Sequence, residues 1–373
     1  MKKSTRSQRP QTRTLVCGLA ERLMRQPAAP YFEDATRTEA LRFCVEHGLP
    51  AAMDTFGNVF VRLNRAPRQR PLVLAAHLDH PGFAVERRLG PRRFVLQFNG
   101  RVADAYFRKG ARVRLQPGHV PACLVRRLRG EERRFEFEVQ SAPEVAPVFA
   151  VWDLEEFALR KDRIHGRACD DLIGCAAVLA TLRGLQQRRA NVNVIGVLSR
   201  AEEVGFQGAL TIAAEGSLPK EALVISLETS KELPGVRMGG GVILRVGDKA
   251  SIFDSASSRF LEEVATELVA RSKGFAFQRA LMGGGTCEAT AYQEFGYTSA
   301  ALCVALGNYH NSGPRARIAA EFVSVQDVSG MVDLLVAVAQ AMPRFGALTG
   351  KLPRRLQGLL KEARQRLALT LHA

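Results

Sequence analysis

Residues 168–228 read ACDDLIGCAAVLATLRGLQQRRANVNVIGVLSRAEEVGFQGALTIAAEGSLPKEALVISLE, and this stretch decides the fold class. Its segment 171–187 is a long apolar run of helical length. Segment 192–198 is a continuous apolar run rich in Val, the mark of a strand buried on both faces. Helical spacing returns over 205–214, and 222–227 is a second buried strand. Alternating strands and helices predict an α/β fold with a central, mostly parallel sheet flanked by helices. Working outward, 71–76 (PLVLAA) and 298–305 are further apolar strands, and 59–63 follows a turn at 54–58. Segments 13–24, 36–47, 260–272 and 324–341 read as helices, with Thr36 as an N-cap. Between 85 and 163 the texture changes to short alternating segments, such as Arg93-Phe-Val-Leu-Gln-Phe, separated by Gly and Pro. That pattern predicts a small β-rich domain inserted into the larger one. The expected organisation is a disordered basic N-terminus (1–14), an α/β domain built from 15–84 and 164–345, the insert (85–163), and a basic amphipathic C-terminal helix (346–373).

Composition narrows the function classes. The chain has 373 residues, 46% hydrophobic and 24% charged, which excludes global disorder. No apolar run approaches the roughly 20 residues of a membrane helix, and no export leader is recognised. Seven scattered Cys, none in a C-x-x-C pair, fit neither a disulfide framework nor a structural zinc site. A reduced, cytoplasmic location is the expectation. The net charge of +16 is uneven. Residues 1–14 carry five basic groups and no acid; residues 86–134 carry 14 against 4 acids; residues 351–373 carry six against one. Basic blocks can bind nucleic acid, but no stacking aromatics accompany these, so solvated faces are expected instead of a nucleic-acid partner. The Leu and Arg of the tail predict a helix packed on the body, with membrane contact as the alternative.

Open α/β sheets carry their sites at the carboxyl ends of strands. There the sequence places His77 and Asp79, Asp170-Asp171, Glu202-Glu203, Glu228 and His310. Singly, each has an ordinary reading: a helix cap for the Asp pair, an exposed loop for the Glu pair, a hydrogen-bonded histidine. Together, several carboxylates at one sheet edge repel unless neutralised, and divalent metal is the usual remedy. Two His with several carboxylates suit zinc, cobalt or manganese, and a shared carboxylate is the arrangement of a two-metal hydrolase.

These segments resemble the glutamyl-aminopeptidase-like, tetrahedral (TET) aminopeptidases, the forty-second metallopeptidase family, of zinc exopeptidase fold. The resemblance rests on Ala76-His-Leu-Asp-His-Pro-Gly-Phe, Ala168-Cys-Asp-Asp-Leu-Ile-Gly-Cys-Ala, Ala201-Glu-Glu-Val-Gly-Phe-Gln-Gly-Ala, Ile225-Ser-Leu-Glu-Thr, Gly284-Gly-Thr-Cys-Glu-Ala and Tyr309-His-Asn-Ser, collinear from about residue 15 to 340. It implies a homo-oligomeric metallo-aminopeptidase that removes N-terminal residues from short peptides with a water activated by two divalent metals, zinc expected ahead of cobalt or manganese. It further implies that Asp170 bridges the ions, that His77 and Glu228 complete one site and Glu203 and His310 the other, that Glu202 is the general base, and that Asp79 supports His77. A cis peptide after Asp170 is also implied. The chain departs from the family at Glu228, usually Asp; at His80-Pro81; at Leu172, usually Arg; and at Cys287-Glu288, usually Asp. A role for Glu288 in holding the substrate amine, and for the Gly283–Gly285 loop in approaching substrate, are further expectations. The alternatives are a carboxypeptidase, dipeptidase or amide deacylase on the same scaffold, or a basic nucleic-acid-binding or assembly protein with a vestigial metal site.

Overall fold

The structure is a computed structural model and describes residues 8–370. Eleven strands form one mixed sheet. Its centre is parallel, in the order Asn193–Ser199, Leu72–His77, Leu223–Lys231, Thr298–Gly307. The strands bordering these four join them antiparallel, so the expected mostly parallel sheet is a parallel core within a mixed sheet. Alternation along the central strands feeds two cores. Leu72, Leu74 and Ala76 join the core beneath helices Gln8–Met24, Leu172–Gln187 and Val325–Ala341. Val73 and Ala75 join the other, beneath Gln207–Ala214 and Glu288–Glu294. With both faces covered, these strands need apolar residues at every position, which is why their sequences run without polar breaks. The helical run Val325–Leu369 is long and apolar enough to cross a membrane by length and composition, but 56% of its most apolar stretch is buried inside the protein.

Six strands close into a barrel, from Gly82–Gly90 to Phe149–Trp152. Phe83 fills its centre and meets Phe98, Phe137 and Trp152 edge-on, with ring centroids 4.8–5.3 Å apart. The insert therefore runs over 82–152, not 85–163. Strands Ala158–Arg160 and Arg163–Gly166 return to the large sheet, because Ile164 pairs with Val323 there.

Three other expectations are corrected. Residues 1–7 lie outside the described residues, but 8–14, expected disordered, are the opening turns of helix Gln8–Met24, whose Val16, Leu19 and Leu23 anchor it in the core. Thr36 lies inside helix Asp34–Glu46 and is buried, and Glu33 occupies the cap position. The tail forms helix Lys351–Leu369 after a short helix Phe345–Thr349, but none of its residues is buried, so it does not pack on the body.

Candidate metal centre

All seven predicted site residues converge on one end of the parallel strands. His77 and Glu228 are at or near the ends of their strands, and Glu202-Glu203 follows the strand ending at Ser199. Their donor atoms form three groups: the triads His77–Asp170–Glu228 and Asp170–Glu203–His310, with Asp170 common to both, and a third, His77–Glu202–Glu203. His77 Nε2 lies 3.5 Å from Asp170 Oδ1, and His310 Nε2 lies 3.5 Å from Asp170 Oδ2. His310 Nε2 is also 3.4 Å from Glu203 Oε1. Ligands about 2.0–2.1 Å from a tetrahedral ion stand about 3.4 Å from each other, so these separations suit ion binding.

Local structure fixes each donor. The peptide Asp170-Asp171 is cis, as the family resemblance implied. The two aspartates then divide their work: Asp171 caps helix Leu172–Gln187 by accepting the N–H of Gly174, and Asp170 faces the site. Both imidazoles set Nδ1 against a backbone carbonyl, His77 at 3.1 Å from Asp79 O and His310 at 2.7 Å from Arg101 O. Nδ1–H donation to those carbonyls leaves Nε2 as the acceptor, the tautomer a metal ligand requires. The Arg101 carbonyl comes from the barrel, so the insert orients a donor of the large domain. Asp79 accepts the N–H groups of Glu202 and Glu203 at 2.9 and 3.1 Å. Two glycines of the motif after the Glu pair are sterically required. Gly205 has φ +110°, and a Cβ on Gly208 would stand 2.5 Å from Arg200 N.

The cluster is short of positive charge. Asp170, Glu202, Glu203 and Glu228 are buried together, and the imidazoles of His77 and His310 and, beside Glu228, the guanidinium of Arg245 do not balance four carboxylates. Burial, and after it the neighbouring carboxylates, push Glu202 and Glu203 well above the usual carboxylate range, against the pull of His77. Burial raises Glu228 to about 8. Burial would lower His77, but Glu202, Asp170 and Asp79 hold it well above its ordinary value. Burial would raise Asp170, but His310 and His77 hold it well below. Asp170 Oδ1, Glu203 Oε1 and Glu228 Oε1 are buried with no hydrogen-bond partner. Orphaned acceptors, one in each of three converging carboxylates, are costly unless a cation meets them. The donor set fits divalent metal.

Several supporting residues escaped the sequence reading. Glu321 Oε2 accepts the N–H groups of Cys169 and Asp170 at 2.8 and 3.1 Å. Glu33 accepts from Ala201 N and Arg200 Nε, holding the loop that carries Glu202. Glu33 and Glu321 lie far along the chain from the groups they hold, and neither belongs to a recognisable motif. His80 Nδ1 sits 2.7 Å from the Asp170 carbonyl and its Nε2 2.9 Å from Asn311 Oδ1, so this departure from the family braces the ligand backbone. Glu288, expected to hold a substrate amine, is wholly buried and accepts from Ser199 Oγ at 2.5 Å, which removes it from substrate reach. The Gly284-Gly285 segment does line a pocket beside Glu228, together with Arg245, Lys231 and Tyr309.

The profile of the M42 glutamyl aminopeptidases matches residues 134–334. Among solved structures, an aminopeptidase from the archaeon Desulfurococcus kamchatkensis superimposes with TM-score 0.74 at 21% identity, over 90% of this chain and 98% of its own. The TET1 peptidase of Pyrococcus horikoshii, described as assembling into a tetrahedron or a large octahedral shell, gives 0.72 at 20% identity, over 87% and 99%. A TET aminopeptidase from Thaumarchaeota archaeon SCGC AB-539-E09 gives 0.73 at 20%, over 88% and 99%. At these identities the structures establish the shared fold, while the profile establishes the family and favours an aminopeptidase over the carboxypeptidase, dipeptidase, deacylase and nucleic-acid alternatives. The chain belongs to the M42 glutamyl aminopeptidase family and is a metal-dependent aminopeptidase.

Proposed function

We propose that the protein removes N-terminal residues from short peptides with two divalent ions, zinc foremost, held by His77, Asp170 and Glu228 on one side and by Asp170, Glu203 and His310 on the other. The single observation that carries this reading is the pair of donor triads sharing Asp170. Bound ions of this kind polarise the scissile carbonyl and bring a water within reach of deprotonation near neutral pH. Glu202 takes the proton from that water on its carboxylate and delivers it to the leaving amine nitrogen. Its Oε2 lies 3.9 Å from His77 Nε2, and Asp79 holds its backbone N–H, so the carboxylate is close to the donors without completing either shared triad. Asp79 and Glu321 are positioning residues acting through the N–H groups they bind.

The pocket beside Glu228 receives the side chain of the first residue. Arg245 lines it, is 4% exposed, and has an Nε with no hydrogen-bond partner. A buried guanidinium with an idle donor favours an acidic side chain. Assembly into a homo-oligomer is part of the proposal, supported by the tetrahedral or octahedral shells described for the Pyrococcus peptidase. A cytoplasmic setting accords with seven Cys that are all free among the described residues.

Glu202→Gln tests the assignment of the base. It should lower turnover by about a hundred- to ten-thousand-fold while the bound metal, measured by mass spectrometry, is unchanged. A near wild-type rate would remove Glu202 from the mechanism.

A further inference from the structure

We propose that helix Lys351–Leu369 docks the protein on an anionic lipid surface. Among the described residues the helix is tied to the rest of the protein at its start, where Lys351 pairs with Glu263 and Arg354 Nη2 donates to the Ala347 carbonyl at 2.8 Å. Beyond that turn it projects, and no residue in it is buried. Leu352, Leu356, Leu359, Leu360 and Leu367 are 42–69% exposed. At 3.6 residues per turn these five leucines fall within a sector of about 100°, one continuous stripe. Arg354, Arg355, Lys361, Arg364 and Arg366 occupy the rest of the surface with one acid, Glu362. A leucine stripe bordered by arginine is the make-up of a helix that lies in a membrane interface, its apolar face among acyl chains and its basic groups among phosphates.

Charge decides among occupants of the stripe. A second copy would bring arginine to arginine, since Arg355 and Arg366 border the stripe on one side and Arg364 on the other, and the one acid, Glu362, lies further round than Arg355. Paired helices instead place opposite charges at such flanking positions. Nucleic acid would satisfy the arginines but leave the leucines in water. An anionic bilayer satisfies both. The family match, residues 134–334, does not extend to this helix.

The test is co-sedimentation of the full-length protein with vesicles of phosphatidylglycerol mixed with phosphatidylcholine, and with vesicles of phosphatidylcholine alone. We expect at least about tenfold more protein bound to the anionic vesicles, falling steeply as salt rises to about 0.5 M. Leu356→Glu combined with Leu360→Glu should abolish binding, and Arg355→Gln with Arg366→Gln should weaken it. Both pairs should leave peptide hydrolysis unchanged, because neither touches the site. Equal binding to neutral vesicles, or binding that survives the Leu→Glu pair, would overturn the proposal. So would a self-association that the Leu→Glu pair abolishes without any vesicle binding, which would give the stripe to a second copy. Retention on duplex DNA with no vesicle binding would also overturn it.

Discussion

Asp79 accepts the N–H groups of Glu202 and Glu203 and offers its own carbonyl to His77, so one residue sets the placement of three others. Glu321 does the same for the segment carrying Asp170. Removing such an acceptor leaves buried N–H groups unpaired, at about 1–3 kcal/mol each. Glu321→Ala should therefore lower stability by at least about 2 kcal/mol in urea titrations run with chelator present, and Glu321→Gln, which keeps an acceptor oxygen, should recover most of it. Equal losses in the two variants would show that Glu321 acts otherwise. Arg245 supports a second prediction. If its idle donor reads an acidic first residue, Arg245→Met should lower kcat/KM for glutamyl peptides by about tenfold or more and leave leucyl peptides nearly unchanged. A uniform loss on both would instead make Arg245 a counter-ion of Glu228.

Among the elements, the central strands were legible in the sequence because burial on both faces forces unbroken apolar runs, as in Leu72–His77 and Asn193–Ser199. The strand Val242–Gly247 was not, since it carries the buried Arg245 among its apolar residues. The insert was visible from its alternation, but its boundary was misplaced because the short strand Ala158–Arg160, which the sequence leaves looking like part of it, pairs with Arg163–Gly166 of the large sheet. Its positive charge reads differently once folded. Glu136 is gripped by Arg93 and Arg126, Asp153 by Arg112 and Arg114, and Asp104 by Arg127 and Arg133. Much of the local excess is thus engaged along the barrel surface, which no residue count reveals. The C-terminal helix was legible as a helix, and its failure to pack was not. Because none of its residues is buried, a chain ending at Gly350 should unfold within about 1 kcal/mol of the full one, the worth of its exposed ion pair. A larger loss would mean that the helix supports the body.

At the scale of the whole molecule, the five candidate donors were recognisable as a set because α/β topology gathers strand ends at one edge, and the motifs after each strand survive as short collinear blocks. The residues that brace them were not, since Glu33, Arg101 and Glu321 reach the site only through folding. Metal should tie the whole together. The candidate donors come from distant segments of the chain, so on the proposed reading ions bind the folded chain alone, and stability should rise by about 2.7 kcal/mol for each site when free ion reaches a hundred times its Kd. Unfolding midpoints that ignore chelator would contradict this linkage.

The most direct test of the account is hydrolysis of short peptides by metal-stripped protein reloaded with zinc, cobalt or manganese, each peptide offered with a free and with an acetylated amino terminus. The account predicts release of the first residue only when metal is restored and only from the free amine. Release from acetylated peptides at the same rate, or none from either form with both donor triads loaded, would contradict it.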